Sequence, residues 1–164
     1  MSKSEKNLQD AFAGESQANR KYLAFAIQAE KEGFHQVAKL FRAAAEAETV
    51  HAHSHFRNLG GIKSTKENLE AAIGGEAFEF KEMYPRMIKE AQEEDNKGAI
   101  RSFNFANDVE KVHHDLYQKA LDSLGNNEET DYYICDICGY TAEGSAPDEC
   151  PVCRAKAKAF RKID

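Results

Sequence analysis

Two short segments of this sequence each hold a carboxylate and an imidazole three residues apart. They are Glu48-Thr-Val-His51 and Glu110-Lys-Val-His113. If both segments are helical, the two side chains of each pair lie on one face, within reach of a common metal ion. Two such turns, with one further glutamate from each of two other helices, form the ligand set of a dinuclear metal site inside a four-helix bundle. This chemistry requires the rest of the chain to supply those other parts.

Further glutamates lie on two more segments with helical spacing. Glu15 interrupts an apolar stripe over residues 5–32. A carboxylate there needs a cation, hydrogen bonds or a proton to offset its desolvation, unless it lies in water at the rim of the stripe. Glu79 and Glu82 flank the stripe of another segment, so that helix offers two carboxylates where a minimal site needs one. His55 is a competing ligand candidate, ranked second because no carboxylate stands three residues before it.

Four helices have to position these side chains. Apolar residues recur every three or four positions in four segments, which predicts helices at about residues 5–32, 36–58, 76–95 and 99–124. About seventeen residues join the second helix to the third, which suits the single long crossover of ferritin-like bundles. Each half of the chain then contains a helix with a candidate glutamate ligand, followed by a helix with a Glu-x-x-His turn. Such oxygen-rich ligation suits iron or manganese better than copper or zinc.

A second candidate metal site follows a polar linker. All four cysteines occur there in two Cys-x-x-Cys pairs, which are Cys135, Cys138, Cys150 and Cys153. Two thiolate pairs at this spacing close a tetrahedral site, and a unit of about 33 residues with almost no core needs the metal for much of its folding energy. Zinc and iron both accept four thiolates. A zinc ribbon used for docking is therefore the alternative to an iron site that carries one electron.

Composition narrows the function classes. The chain has 164 residues, 41% of them hydrophobic, and a net charge of -6, with no dominant cluster of Lys and Arg. A nucleic-acid partner is therefore not expected. The N-terminal segment Met-Ser-Lys-Ser-Glu-Lys is charged and lacks an apolar run, and no later stretch is long enough to span a bilayer. We therefore expect a cytoplasmic protein without a membrane partner.

Taken together, these motifs give the sequence a family resemblance over nearly its whole length. It resembles the rubrerythrins in Gly14-Glu15-Ser-Gln-Ala with Tyr22, in the two Glu-x-x-His turns, in Glu79-Phe-Lys-Glu82-Met-Tyr-Pro85, and in the four-cysteine module. The resemblance implies an all-α, ferritin-like four-helix domain at 1–125, a linker at 126–131 and a small rubredoxin-like domain of strands and loops at 132–164. The implied activity is peroxidase activity, the reduction of hydrogen peroxide to water.

The resemblance also implies the metal ligands. The di-iron centre would be held by Glu15, Glu48, His51, Glu79, Glu82, Glu110 and His113, and a single iron by Cys135, Cys138, Cys150 and Cys153. In that family one iron exchanges a carboxylate for a histidine on reduction, which maps onto Glu82 and His51. Tyr22 and Tyr84 lie near the ligand turns and either bond the carboxylates or pack as ordinary aromatics.

The resemblance also suggests partners. A rubredoxin or an NAD(P)H-dependent reductase would donate electrons. Helix four rises about 18 Å from His113 to Gly125, so a module tethered beyond its end begins far from the site in its own bundle. We therefore expect a head-to-tail homodimer that sets the cysteine iron of one chain against the di-iron site of the other. Iron oxidation and storage, or a non-enzymatic bundle with a zinc ribbon, are the alternative functions.

One position departs from the usual pattern of such cysteine modules. Gly139 follows Cys138, but Arg154 follows Cys153, where glycine is common. A positive φ at that position costs a non-glycine residue about 1 kcal/mol.

Overall fold

The computed structural model describes all residues from Met1 to Asp164. They form two compact units, Met1–Lys63 and Ser64–Asp164. The first unit is a pair of helices, α1 (Lys3–Lys31) and α2 (His35–Asn58). Ser2 and Glu5 form the capping box that their spacing predicts, and Gly33 adopts a φ of 82° just after α1.

Small side chains form the buried interior of the first unit. They are Ala26, Ala29, Ala38, Ala45 and Ala52. Alanine lets the two helices approach closely, because the distance between helix axes is set by the side chains at the contact. Large apolar residues of the same helices stay exposed, among them Phe25 at 47% and Leu40 at 65%.

The second unit contains the remaining helices and a small sheet. Its elements are α3 (Thr65–Phe78), a π-helical turn (Glu79–Met83), α4 (Tyr84–Glu93), α5 (Lys97–Asp122), β1 (Tyr132–Cys135), β2 (Thr141–Glu143), a 3₁₀ turn (Ala157–Ala159) and β3 (Phe160–Ile163). Both α3 and α4 pack on α5. The predicted class, mostly helical with a small metal-binding unit of strands and loops at the C-terminus, is confirmed.

The third helix begins earlier than the sequence pattern predicts. We expected a crossover from Leu59 to about Glu76, but α3 starts at Thr65, directly after a capping box formed by Ser64 and Glu67. Gly74 and Gly75 lie inside α3. Each glycine costs a helix interior about 1 kcal/mol relative to alanine, and packing on α5 overrides that cost. The predicted start of the third helix at about residue 76 was therefore wrong, although a cap at Ser64 with Glu67 is what the sequence predicts.

A widened turn separates α3 from α4. Residues Glu79–Met83 form a π-helix, a rare conformation that is often found at functional sites. Pro85 lies in the first turn of α4 and lacks the N–H that an α-helix would use to bond the carbonyl of Lys81. The helix is thus interrupted beside this proline by a π-helical turn.

The C-terminal sheet is antiparallel and has the strand order β2-β1-β3. Tyr133 pairs with Ala142 on one side and with Lys162 on the other. Cys135 and Cys150 are almost completely buried, whereas Cys138 and Cys153 are partly exposed. After the two cysteine pairs the chain turns with positive φ, 83° at Gly139 and 64° at Arg154. The expected strained position at Arg154 is confirmed.

The sheet folds back along α5. Lys119 on α5 forms an ion pair with Glu143 on β2 at 2.6 Å, and Thr141 on β2 lies 2.9 Å from His113 on α5. The cysteine module thus returns to His113 of its own chain, so distance alone does not require a head-to-tail partner, and the homodimer stays a prediction. No helix has the combination of length and apolar character that crossing a membrane requires.

Candidate metal centres

The first carboxylate–histidine cluster belongs to the α1–α2 unit. Glu15 on α1 meets Glu48 and His51 on α2, with their ligand atoms all within 4.8 Å of one another. The Nδ1 atom of His51 lies 3.0 Å from Glu48 Oε2 and 3.9 Å from Glu15 Oε1. A hydrogen bond between the two carboxyls raises the pKa of Glu15 and lowers the pKa of Glu48.

The second cluster repeats this geometry on α3 and α5. Glu76 joins Glu110 and His113, again with ligand atoms within 4.8 Å. His113 Nδ1 lies 2.8 Å from Glu110 Oε2 and 3.9 Å from Glu76 Oε1. Both clusters therefore turn the same ring nitrogen towards the same arrangement of two carboxylates.

The second cluster is the more enclosed of the two. The side chains of Glu76 and Glu110 are 19% and 16% exposed, and His113 is 29% exposed. Burial, followed by the charge of Glu110, raises the pKa of Glu76, and burial, followed by the charge of Glu79, raises the pKa of Glu110. Gathering carboxylates in this way is unfavourable without a cation or a proton between them.

Both clusters have the chemistry of an iron site. Each offers two carboxylates and one imidazole nitrogen, the mixed oxygen and nitrogen set found in di-iron proteins of the bundle type. A cation among these atoms would offset the repulsion between the paired carboxylates and accept the lone pair of Nδ1. The donor sets therefore fit iron.

Five of the seven predicted helical ligands lie in the clusters, which are Glu15, Glu48, His51, Glu110 and His113. Glu79 lies close enough for its charge to raise the pKa of both Glu76 and Glu110. Glu82 is exposed and belongs to neither cluster, and Glu76 is present instead.

Sequence reasoning missed Glu76 although two signals pointed to it. Gly75-Glu76 repeats the pair Gly14-Glu15, and Glu76 precedes Glu110 by 34 residues, close to the 33 that separate Glu15 from Glu48. We placed the start of the third helix at this residue and so treated it as a helix end.

The remaining candidates surround the clusters. His55 is near enough to Glu15 for its charge to oppose the rise in the pKa of that carboxyl. Tyr22 packs against aromatic rings, with its centroid 6.3 Å from that of Phe41. Burial, and then the charges of Glu110, Glu79 and Glu76, raise the pKa of Tyr84, so its hydroxyl keeps its proton beside the second cluster.

The four cysteines converge on one point. Cys135 Sγ lies 3.6 Å from Cys153 Sγ, and Cys138 Sγ lies 3.5 Å from Cys150 Sγ. A tetrahedral metal with sulfur ligands at about 2.3 Å requires sulfur–sulfur distances of about 3.8 Å. Burial raises the pKa of the Cys138 and Cys153 thiols, whereas backbone N–H groups of Ile137 and Cys138 outweigh burial and lower the pKa of Cys135. The cluster fits a single iron or zinc ion.

Helical carboxylate–histidine clusters followed by a four-thiolate module define the class of non-haem di-iron proteins with a rubredoxin-like domain. The family model for rubrerythrin matches residues 6–121, and the model for the rubrerythrin rubredoxin-like domain matches residues 133–161. The chain therefore belongs to the rubrerythrin family, whose iron sites are the di-iron carboxylate–histidine centre and the four-cysteine centre.

Individual relatives agree with this assignment. The chain is 34% identical to Rubrerythrin-2 of Clostridium acetobutylicum, covering 94% of this chain and 93% of the relative. It is also 34% identical to nigerythrin of Nitratidesulfovibrio vulgaris, over 90% of this chain and 80% of that one. A solved structure of nigerythrin in its fully reduced, all-ferrous state matches with a TM-score of 0.61 and 32% identity, over 99% of this chain and 88% of that chain.

Proposed function

We propose that this protein is a non-haem di-iron peroxidase that reduces hydrogen peroxide to water. The observation that carries the proposal is the pair of matching carboxylate–histidine clusters in a chain that also has a four-cysteine site. When bound, two ferrous ions supply the two electrons that, with two protons, convert one hydrogen peroxide into two water molecules. A chain built only to store iron has no use for the cysteine site.

We assign the di-iron ligands as Glu15, Glu48, His51, Glu76, Glu110 and His113, with Glu79 as a seventh. Glu79 takes the place we had given to Glu82 as the extra carboxylate, and ligand exchange with His51 is proposed for Glu79 instead. The charge of Glu79 raises the pKa of Glu76 and the pKa of Glu110, whereas Glu82 is exposed. We keep the division into domains at 1–125 and 132–164, joined by a linker at 126–131.

The side chains have separate tasks in this reaction. In each cluster the histidine presents Nδ1 to the metal position, and the paired carboxylates balance the charge of the cation. Tyr84 keeps its phenolic proton because burial and the neighbouring carboxylates raise its pKa. That hydroxyl can therefore donate a hydrogen bond beside the second cluster without adding negative charge to it.

Electrons would reach the di-iron centre from the four-cysteine iron. We propose that a rubredoxin or an NAD(P)H-dependent reductase reduces that iron, in the cytoplasm, where thiolates remain free of disulfides. A homodimer is also proposed, and the exposed apolar residues of the first unit support it: Phe25, Ile27, Phe34, Val37 and Leu40. A head-to-tail arrangement is no longer required by distance, because β2 already lies against His113 of the same chain.

The test is anaerobic. The protein is fully reduced, its iron and zinc are assayed, and it is mixed with one equivalent of hydrogen peroxide while the visible spectrum is followed over milliseconds. In a parallel experiment the same reduced protein is mixed with dioxygen. About three irons per chain, with fast reoxidation by peroxide and slow reoxidation by air, is the expected result.

Two other results would reject the proposal. Zinc at the sites with no iron colour, even after iron reconstitution, would indicate a non-enzymatic bundle with a zinc ribbon. Fast oxidation by air with iron retained as a mineral would indicate iron oxidation and storage.

A further inference from the structure

The cysteine module contacts α5 at three successive points. A Cβ atom added at Gly139 would lie 4.0 Å from Val109 Cγ1, and Thr141 Oγ1 lies 2.9 Å from His113 Nε2. The last point is the ion pair between Lys119 and Glu143 at 2.6 Å. From 109 to 119 the helix rises about 15 Å, and from 139 to 143 an extended strand covers about 13 Å, so the two segments run side by side over matching lengths.

The hydroxyl of Thr141 has a second, longer contact besides the one to His113. It donates to the carbonyl oxygen of Gly139 at 3.4 Å. A threonine oxygen also has lone pairs, so it can accept a hydrogen bond from His113 Nε2. Without a metal, His113 Nδ1 lies 2.8 Å from Glu110 Oε2, and a carboxylate oxygen only accepts, so this hydrogen bond places a ring proton on Nδ1. When a metal takes the place of that proton, the ring carries its proton on Nε2, and Thr141 Oγ1 at 2.9 Å is placed to accept it.

The first cluster has nothing comparable. His51 turns Nδ1 to its own carboxylates in the same way, but its side chain is 55% exposed, against 29% for His113. A hydrogen bond to the distal nitrogen of a metal-binding histidine fixes both the tautomer and the orientation of the ring. In the second cluster the cysteine module supplies this hydrogen-bond partner.

We propose that Thr141 is a positioning residue for His113, through which the cysteine module holds that ring ready for the metal within one chain. Thr141 is three residues after Cys138, a ligand of the four-cysteine site. The strand that follows this site therefore contacts His113, a ligand of the second cluster. The inference rests on the proposed metal-binding role of the second cluster. It does not depend on the reaction that follows.

Two substitutions of Thr141 test its hydroxyl and its methyl group separately. Thr141→Val keeps the shape and removes the hydroxyl, whereas Thr141→Ser keeps the hydroxyl and removes the methyl group. Thr130→Val, the same change in the segment before β1, is the matched control. All are made in the full chain with the four-cysteine site loaded, and the colour of that site and the thermal melting curve report whether the module is folded.

The first readout is the affinity of the α3–α5 cluster for Fe(II), measured anaerobically against a chelator. Loss of a hydrogen-bond partner of a metal-ligating histidine typically costs 10–100-fold in affinity, and we expect a loss of that size for Thr141→Val. Thr141→Ser should stay within about threefold of the parent protein, because it retains the hydrogen bond. Thr130→Val should match the parent.

The second readout is nitrogen-15 NMR of the histidine rings in the zinc-loaded protein. The parent and Thr141→Ser should show an Nε2–H proton on His113 that exchanges slowly with water, and Thr141→Val should lose this slow exchange. Equal affinity and equal exchange in parent and valine variant would overturn the proposal. Equal losses in the valine and serine variants would also overturn it, because the methyl group and not the hydroxyl would then be responsible. A parent protein that binds iron but does not reduce peroxide would reject the proposed function alone.

Discussion

Replacing Glu76 with glutamine should change the metal-free and the metal-loaded protein in opposite directions. In the metal-free protein Glu76 lies within 4.8 Å of Glu110, and both side chains are mostly buried. Two full charges at that separation repel by about 3–4 kcal/mol at an effective dielectric constant of 20. Partial protonation of the pair relieves some of this repulsion, so we expect Glu76→Gln to raise the free energy of unfolding by about 1–2 kcal/mol.

In the iron-loaded protein, Glu76→Gln should instead be unfavourable, because it should weaken iron binding. An amide oxygen carries no net charge, so the substitution removes one of the two anionic ligands of the second cluster. Changes in the second coordination shell alone cost 10–100-fold in affinity, and we expect the loss of a direct ligand to cost more than about 100-fold. The experiment combines urea unfolding of the metal-free protein with Fe(II) competition against a chelator.

Glu82→Gln is the matched control, the same change six residues further along the chain at an exposed position. It should alter the free energy of unfolding by less than about 0.5 kcal/mol and leave iron affinity unchanged. The reasoning is refuted if Glu82→Gln loses iron while Glu76→Gln retains it. It is also refuted if Glu76→Gln destabilises the metal-free protein, because the paired carboxylates would then not repel each other.

Three further predictions concern pH, backbone strain and metal removal. Burial raises the pKa of Glu76 and Glu110 above the ordinary value of 4.5, so the folded metal-free protein binds more protons than the unfolded chain just above that pH. Its stability should therefore fall as the pH rises, and urea unfolding at pH 5 and pH 7 checks this; equal or greater stability at pH 7 would contradict it. Arg154→Gly should relieve the positive φ of 64° and stabilise the cysteine module by about 1 kcal/mol, whereas Gly139→Ala should destabilise it, both measured by thermal loss of the iron–thiolate colour. A chelator that removes the metal from the four-cysteine site should unfold β1–β3 and leave the helical circular dichroism nearly unchanged, and a sheet that survives metal loss in NMR spectra would contradict the proposed role of the metal in folding.

Local patterns were sufficient for much of the fold. The spacing of Ser2 and Glu5 predicted a capping box that the structure contains, and the positive φ at Arg154 followed from its place after a cysteine pair. In both cases the interaction joins residues close in sequence. The Glu-x-x-His turns are local too, because an α-helix brings residues three apart onto one face wherever the helix packs.

The third helix shows where local rules failed. Two adjacent glycines favour a loop, but Gly74 and Gly75 lie within α3 because α3 packs on α5. Because of that misplaced start we treated Glu76 as a helix end and left it out of the candidate ligands.

The sequence by itself determined the types of metal ligand and the two local turns that present them, since both depend on spacing along the chain. Only the tertiary structure decided which carboxylate of the third helix joins Glu110 and His113, because that depends on the packing of α3 on α5. The contact between Thr141 and His113 was equally beyond the sequence pattern. It joins residues 28 positions apart through the return of the sheet along α5, and no local spacing specifies that return.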